Sequence, residues 1–143
     1  MRGVTHANDP VAAMPVSAIF GFLFGARDEH QATVELPLRP EFLQGEARVH
    51  GGILATLADT SAVYLLISGL PLGRTLTSIE FKLNFVRPAL LERGAVAARA
   101  RLVKRGRQVA LVDVELEQQG ELVAKGLFTY LLADRAPPPL HAQ

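Results

Sequence analysis

The sequence predicts an α+β protein in which a curved antiparallel sheet wraps around a long central helix. The helix is indicated by an apolar, proline-free segment from Gly52 to about Ser68, which is apolar nearly all round and must be covered on more than one side. The sheet is indicated by alternating apolar and polar residues in one segment before the helix and four after it. Consecutive strands beside a segregated helix are typical of an α+β layer architecture. One face of the predicted helix carries Leu54, Leu57, Ala58, Ser61, Ala62 and Leu65.

Three elements are predicted before the central helix. The segment "MPVSAIFGFLF" has Ser17 near a helix start and predicts a short helix. Its apolar residues with helix-like spacing are Ile19, Phe20, Leu23 and Phe24. The next segment alternates and predicts a strand, with apolar residues at Ala32, Val34 and Leu36. The segment "RPEFLQGEARVHGG" contains Pro40 and Gly45 and is predicted to be an irregular loop that enters the helix.

Four strands are predicted after the helix, which is ended by "SGLPLG". In "TLTSIEFKLNFVRP" regular alternation places one set of residues on one face, Thr77, Ile79, Phe81, Leu83 and Phe85, and the other set on the opposite face, Ser78, Glu80, Lys82 and Asn84. The next two strands are joined by a turn at "KRGR" and have apolar faces at Val96, Ala98, Ala100 and Leu102, and at Ala110, Val112, Val114 and Leu116. The segment "LVAKGLFTYLL" closes the sheet.

Length and composition indicate one ordinary globular domain. The chain has 143 residues, of which 49% are hydrophobic and 20% charged. The domain is predicted over residues 15–134, between a flexible N-terminal segment at 1–14 and a flexible proline-rich tail at 135–143. A net charge of +1 gives no basic field for nucleic acid. The absence of cysteine excludes disulfides and a cysteine nucleophile and suits a cytoplasmic protein.

Neither a membrane nor a metal partner is expected. The apolar core "AIFGFLFGA" is short for a secretory signal. The apolar run from Gly51 to Gly73 approaches the length of a membrane span, but Asp59 within it would cost roughly 2.5–3.5 kcal/mol in mid-membrane. No metal-ligand spacing and no nucleotide-binding loop is present, and the histidines are scattered at His6, His30, His50 and His141.

Asp59 is the one charged residue between Gly51 and Gly73. A carboxylate in an apolar helix is expensive to bury unless partners or a function compensate. It lies two turns inside the helix and cannot act as an N-cap. One interpretation is a structural aspartate that accepts hydrogen bonds from a neighbouring strand. The other is a general base or nucleophile.

The His50-Gly51-Gly52 sequence stands at the predicted helix start. The first amide groups of a helix lack intrahelical acceptors and can hold a carbonyl oxygen that becomes an oxyanion. Two glycines that simply end a loop are the alternative. Gly51 and Asp59 are eight residues apart, about 12 Å along a helix axis, so one carbonyl cannot reach both in the same chain. If both act on one bond, they come from two chains around a two-fold axis.

The segments "VHGGILATLADTSAVY", "TSIEFKLNFVRP" and "VAKGLFTYL" resemble the hotdog-fold acyl-CoA thioesterases of the phenylacetate-degradation type. The resemblance covers residues 40–131. It implies a sheet wrapped around the central helix, dimers joined edge to edge, and a tetramer of two dimers. It also implies that Asp59 activates water or attacks the thioester, while the Gly51 amide polarises the thioester carbonyl. No cofactor is implied beyond the coenzyme A of the substrate.

Further site residues follow from this resemblance. Gln44 matches a position that helps to orient the thioester or water, and His50 is expected to position the loop rather than transfer a proton. Ser78, or Thr77 in its place, matches the hydroxyl residue that holds the attacking water. Gly52 is also expected to bind the substrate, through its backbone. Candidate cations for the phosphates of coenzyme A are Arg87, Lys104, Arg105 and Arg107.

The predicted function is hydrolysis of a small-to-medium acyl-CoA, aryl acyl groups included, to a free acid and coenzyme A. One alternative is an acyl-thioester hydratase or dehydratase that uses His50 and Asp59 as an acid/base pair. A second is a non-catalytic domain that binds acyl-CoA without turnover. The sequence leaves open the acyl group, the general-base or anhydride route, and the residues that bind the nucleotide.

Overall fold

A long central helix lies against a six-stranded antiparallel sheet in the computed structural model, which describes residues 8–136. The helices are α1 (Pro15–Phe20) and α2 (Gly51–Ile67), with single 3-10 turns at Pro40–Phe42 and Leu91–Arg93. The strands are β1 (Leu23–Arg27), β2 (Gln31–Leu36), β3 (Leu43–Gly45), β4 (Arg48–Val49), β5 (Arg74–Phe85), β6 (Val96–Arg105), β7 (Val109–Gln118) and β8 (Glu121–Asp134). The order in the sheet is β1-β2-β6-β7-β8-β5, and β3 and β4 form a separate hairpin. The predicted α+β class is confirmed.

The core lies between α2 and the sheet. Helix α2 contacts β2, β5, β6 and β7, so strands from across the sheet cover it. The predicted helix face is buried as expected, and Thr60, Tyr64 and Leu66 are buried as well, because the helix is covered on more than one side. On the sheet, period-2 alternation turns every second side chain toward α2. The fully buried strand residues include Val96, Ala98, Ala100, Ala110, Val112, Val114 and Leu116.

The N-terminal part of the domain departs from the prediction in two places. The predicted short helix ends at Phe20, because Gly21 adopts the left-handed conformation (φ 69°) that stops a helix. Leu23 and Phe24 therefore belong to strand β1, which pairs with β2. The predicted irregular loop contains the β3–β4 hairpin, whose two-residue turn is Glu46-Ala47.

Residues 8–14 pack onto the body of the protein. Val11 is fully buried, and the Asp9 carboxylate forms an ion pair of 2.6 Å with Arg27. The same carboxylate accepts the Val11 amide at 2.8 Å. Residues 1–7 and 137–143, which fall in the two termini predicted to be flexible, lie outside the described residues. Within residues 8–136 no helix is long and apolar enough to cross a membrane.

Strand β5 contains a bulge that the alternating sequence did not reveal. Ser78 pairs with Tyr130 and Glu80 pairs with Thr129, so Ile79 is an extra residue between them. One inserted residue inverts the alternation of faces beyond it. Ser78 therefore shares the helix-facing side of the sheet with Phe81, whose ring stacks on Phe128 at 4.9 Å. The prediction that Ser78 and Phe81 lie on opposite faces is wrong for this reason.

Strand β5 is also an edge strand. It pairs with β8 on one side, and no strand among residues 8–136 covers its other side. Its apolar side chains Ile79, Phe81 and Phe85 are about half exposed, at 54%, 49% and 51%. Uncovered strand edges and exposed apolar patches of this kind are typical of surfaces that pair with another chain.

Candidate active site

Asp59 is held by two hydroxyl groups from adjacent strands. Its Oδ1 accepts a hydrogen bond of 2.6 Å from the Tyr130 hydroxyl and one of 3.2 Å from the Ser78 hydroxyl. Ser78 on β5 and Tyr130 on β8 are register partners, so the sheet places both hydroxyls side by side under α2. No hydrogen bond to Oδ2 is made within residues 8–136. The carboxylate is thus fixed through one oxygen and keeps the other available.

Tyr130 is a site residue that sequence reasoning missed. Its side chain is fully buried, and burial, followed by the charge of Asp59 and the hydrogen bond to it, raises the pKa of its phenol well above the usual value. The phenol therefore stays protonated and donates to the carboxylate. A signal was present, because alternation in "LFTYLL" places Tyr130 on the same apolar face as Phe128 and Leu132. A buried tyrosine hydroxyl needs a partner, and Asp59 is the partner.

His50 caps the start of α2. Its Nδ1 accepts the Gly52 amide at 2.9 Å, and its backbone carbonyl accepts the amides of Ile53 at 3.0 Å and Leu54 at 3.3 Å. The cap is compatible with a positioning role for His50, which stays a prediction. A Cβ on Gly52 would lie 3.0 Å from Nδ1 of His50, which explains the glycine there.

The His50 cap distinguishes the two glycine amides at the start of α2, because it binds one of them and leaves the other without an acceptor. The Gly52 N–H already donates to Nδ1 of His50 and is therefore not free to bind a substrate, so any substrate-binding role of Gly52 stays a prediction. The Gly51 N–H has no acceptor among residues 8–136 and begins the helix, where the partial positive charge of the helix end is strongest. Gly51 is thus the amide free to polarise a carbonyl.

Gly51 opens onto a cavity of about 350 Å³ between the helix start and the end of β5. Two further predicted site residues, Gln44 and Arg87, line the same cavity. The Phe85 ring lies against Gly51, and a Cβ there would be 3.2 Å from its Cζ. The remaining lining residues are Arg48, Val49, Leu54, Val86, Pro88 and Ala89.

Three other predicted substrate-binding residues do not line this cavity. Arg105 donates from Nη2 to the Leu66 carbonyl at 3.2 Å and so lies at the opposite end of α2, where a cation complements the helix dipole. Lys104 lines a separate open cavity of about 390 Å³. Thr77 pairs with Leu131, which is 41% exposed, and therefore faces away from α2, because Ser78 occupies the helix-facing position. Of the predicted cations, Arg87 alone lies beside the Gly51 amide in the described residues.

Within one chain the free amide and the carboxylate are separated. They lie eight residues apart on the same helix, about 12 Å along its axis. Asp59 is not among the residues around the Gly51 cavity, and it lies instead beside the uncovered strand β5. Residues 8–136 contain no group of three or more His, Asp or Glu side chains that could hold a metal ion.

The long helix packed on a six-stranded antiparallel sheet is the hotdog fold, which this chain shares with solved thioesterase structures. The chain belongs to the Thioesterase superfamily, whose family model matches residues 47–125. That span contains Gly51, Asp59, Ser78 and Arg87, whereas Gln44 and Tyr130 lie outside it.

Solved structures agree with this assignment. A thioesterase from Haemophilus influenzae has the same fold, with a TM-score of 0.79 at 20% identity over 94% of this chain and 92% of that chain. A candidate thioesterase related to phenylacetic acid degradation, from Ralstonia eutropha, is 31% identical over 82% of this chain and 90% of its own, with a TM-score of 0.77. A Bacillus halodurans protein crystallised with CoA is 27% identical over 87% and 82% of the two chains, with a TM-score of 0.78.

Two curated relatives match smaller shares of this chain. A candidate esterase from Halobacterium salinarum is 35% identical over 74 residues, which is 50% of this chain and 47% of the relative, so the match spans about half of that protein. A candidate esterase from Saccharolobus solfataricus is 24% identical over 108 residues, 73% of this chain and 74% of the relative.

Proposed function

We propose that this protein hydrolyses acyl-CoA thioesters, with Asp59 as the general base. The observation that carries the proposal is the Asp59 carboxylate, whose Oδ1 is fixed by Tyr130 and Ser78 while Oδ2 remains available. Membership of the Thioesterase superfamily and the CoA-containing structure of the Bacillus halodurans relative support the substrate class. The reaction needs no cofactor beyond the coenzyme A of the substrate.

In the proposed reaction, Oδ2 of Asp59 accepts a proton from a water molecule as that water attacks the thioester carbonyl. The carbonyl oxygen becomes an oxyanion and is stabilised by the Gly51 N–H at the helix start. The tetrahedral intermediate then expels the coenzyme A thiolate, which takes the proton held by Asp59, so the carboxylate is regenerated and the free acid remains. Direct attack by Asp59 through an anhydride uses the same groups, and water then hydrolyses the anhydride.

Because the amide and the carboxylate are about 12 Å apart on one helix, the proposed site takes the two groups from two chains. Edge-to-edge pairing of β5 from two copies would extend the sheet and place two helices side by side around a two-fold axis. The uncovered edge and the half-exposed Phe81 and Phe85 support this dimer. Exposed Val103, Val109, Leu127 and Leu131 on the outer sheet face support further pairing of dimers into a tetramer.

The proposed acyl group is small to medium in size and includes aryl acids. The relative from Ralstonia eutropha, 31% identical, is described as related to phenylacetic acid degradation, which supports aryl acyl-CoA thioesters as the first substrates to test. Gln44 and Arg87, beside the free Gly51 amide, are proposed to orient the thioester and to meet a phosphate of coenzyme A. Substrates of this class match the cytoplasmic location predicted from the sequence.

The first test measures free-thiol release from a panel of acyl-CoA thioesters that includes acetyl, hexanoyl and phenylacetyl groups. Asp59→Asn keeps the shape of the side chain and removes the base, so we expect a loss of at least about 100-fold in kcat. Asp134→Asn is the matched control, because Asp134 is an exposed aspartate paired with Arg74 at the far end of β8. Asp59→Asn turnover within a few fold of the wild type would refute the role of Asp59.

The second test asks whether one site draws on two chains. Asp59→Asn chains and Gly51→Pro chains are co-expressed with different tags, and the mixed dimers are isolated. In a mixed dimer, one site combines the Gly51 amide of the Asp59→Asn chain with the Asp59 carboxylate of the Gly51→Pro chain and is intact, while the other site lacks both groups. About half of the wild-type rate per dimer is therefore expected, although dimers of either variant alone are inactive. Isolated mixed dimers without activity would show that both groups act within one chain.

Neither alternative function is favoured by the geometry. A hydratase would use His50 and Asp59 as an acid/base pair, and because Nδ1 of His50 accepts the Gly52 amide, only Nε2 would be left for proton transfer. Hydration of an enoyl-CoA with the thioester left intact would support that alternative. Binding of acyl-CoA with no thiol release from any member of the panel would support a non-catalytic binding domain.

A further inference from the structure

Gln118 is a buried polar residue at a position where the sheet pattern expects an apolar one. It follows Val114 and Leu116 on the helix-facing side of β7 and is only 1% exposed. Its Oε1 accepts the Leu90 amide at 3.0 Å, and its Nε2 donates to the Leu90 carbonyl at 2.7 Å. Nε2 also donates to the Gly94 carbonyl at 2.8 Å. The side chain thus binds both polar groups of Leu90, as a neighbouring strand would.

These bonds hold a strap, defined as residues 88–94, which connects β5 to β6. The other side of the strap binds the hairpin before the central helix. The Val49 amide donates to the Ala89 carbonyl at 2.9 Å, and the Leu91 amide donates to the Ala47 carbonyl at 3.0 Å. Arg48 and Leu90 form an antiparallel bridge between these bonds.

The strap links Gln118 to the helix start. Strand β4 ends at Val49, directly before His50 and the free Gly51 amide. Pro88 and Ala89 of the strap also line the cavity beside Gly51. Leu90 binds Gln118 on one side and bridges β4 on the other, so the side chain fixes the peptide against which β4 is aligned.

We propose that Gln118 is a positioning residue for the reaction, which holds the Gly51 amide in place through the strap. The proposal rests on the proposed hydrolysis of acyl thioesters. Gln118 touches main-chain groups of the strap and leaves the substrate untouched. A polar side chain is retained in the apolar layer because three partly buried main-chain groups of the strap, the Leu90 amide and the Leu90 and Gly94 carbonyls, need partners there. A displacement of about 1 Å at a catalytic group can cost about 100-fold in rate, so such a support has a functional effect.

The test compares two variants of the full-length protein with a control. Gln118→Met keeps the length of the side chain and removes all three hydrogen bonds. Gln118→Glu is isosteric and, when its carboxyl is protonated, can again accept from and donate to Leu90. Ser17→Ala is the control, because Ser17 is similarly buried and donates to a main-chain carbonyl, that of Val11, at 2.6 Å, and makes no hydrogen bond to the strap among residues 8–136. Rates are expressed per folded protein, with the folded fraction taken from urea unfolding.

Two readouts are made. The first is the pair of constants kcat and KM for thiol release. Gln118→Met is expected to lower kcat by about 10- to 100-fold and to change KM by less than about threefold. The effect falls on kcat because the Gly51 amide acts mainly on the developing oxyanion. For Gln118→Glu, the ratio of its kcat to that of the wild type is expected to rise as the pH is lowered, since burial favours the protonated carboxyl. The second readout is amide hydrogen exchange over residues 48–54, which is expected to become about tenfold faster in Gln118→Met and to stay unchanged in Ser17→Ala.

Unchanged exchange over residues 48–54 in Gln118→Met would overturn the proposal, and so would a kcat per folded protein within twofold of the wild type. If Gln118→Met does not fold, the pH-dependent ratio of Gln118→Glu decides, and a ratio that does not change with pH overturns the proposal. A wild-type protein without thiol release refutes the proposed hydrolysis instead, and the exchange comparison then still tests whether Gln118 positions the helix start.

Discussion

The Tyr130 hydroxyl donates a 2.6 Å hydrogen bond to Oδ1 of Asp59, across 71 residues of sequence. The bond joins the last strand of the sheet to the middle of the central helix. Together with the Ser78 hydroxyl it orients the carboxylate, so that Oδ1 is occupied and Oδ2 accepts no hydrogen bond within residues 8–136. The orientation of the proposed base is therefore a property of the sheet as much as of the helix that carries it.

Replacing Tyr130 by Phe should lower kcat by about tenfold, because one of the two donors that orient Asp59 is lost while the ring still fills the core. The matched control is Tyr64→Phe. Tyr64 is equally buried, but its hydroxyl donates to the Gly25 carbonyl at 2.9 Å. Steady-state thiol release from the best acyl-CoA of the panel provides the measurement. Equal rates for the two variants would contradict an orienting role for the Tyr130 hydroxyl.

The stability of the protein should also fall at alkaline pH because of Tyr130. Burial raises the pKa of Tyr130 above its ordinary value of 10.0, so the unfolded chain ionises this phenol before the folded protein does. The stabilisation is complete below the unfolded pKa and is lost as the pH rises toward the folded pKa, by about 1.4 kcal/mol for each pH unit above about 10. Urea unfolding at about pH 9 and about pH 11 should show a steeper loss for the wild type than for Tyr130→Phe. Parallel losses in the two proteins would contradict the raised pKa.

The Gly51 amide can be removed without breaking the helix. Gly51 is the first residue of α2, where proline is tolerated, and His50 before it has φ −61° and ψ 134°, a conformation that suits a following proline. Gly51→Pro should lower kcat by about 100- to 1,000-fold, as the loss of an oxyanion donor does elsewhere. Gly51→Ala adds a Cβ against Phe85 but keeps the N–H, so its kcat should fall much less than that of Gly51→Pro. If both variants lose the same activity, crowding at Phe85 rather than the amide is responsible.

Substitutions in the turn between β3 and β4 should stabilise the folded protein. Glu46 and Ala47 both have positive φ, 49° and 57°, in a two-residue hairpin turn that favours Asn-Gly. The double substitution Glu46→Asn and Ala47→Gly should raise the free energy of unfolding by about 1 kcal/mol, because it relieves left-handed strain. Ala97→Gly, on the exposed side of β6, is the control and should lower the free energy of unfolding. A loss of stability in the double variant would show that the turn is not strained.

Several features were determined by the sequence alone. The alternation of β6 and β7 and the length of the apolar helix specified the α+β class, because side-chain periodicity is a local property of each element. The charge of Asp59 in an apolar helix and the glycines after His50 marked the candidate site. The distance between Gly51 and Asp59 along one helix also followed from sequence, since the rise per residue of a helix is fixed.

Other features were decided by the tertiary structure. The bulge at Ile79 depends on how β5 pairs with β8, and it determines that Ser78 rather than Thr77 faces Asp59. The choice of Gly51 over Gly52 as the free amide depends on the rotamer of His50, and the assignment of Arg105 to the far end of α2 depends on the approach of β6. Tyr130 and Gln118 act across 71 and 28 residues of sequence. Hydrogen bonds over such separations are set by strand register and packing, which no local pattern of residues specifies.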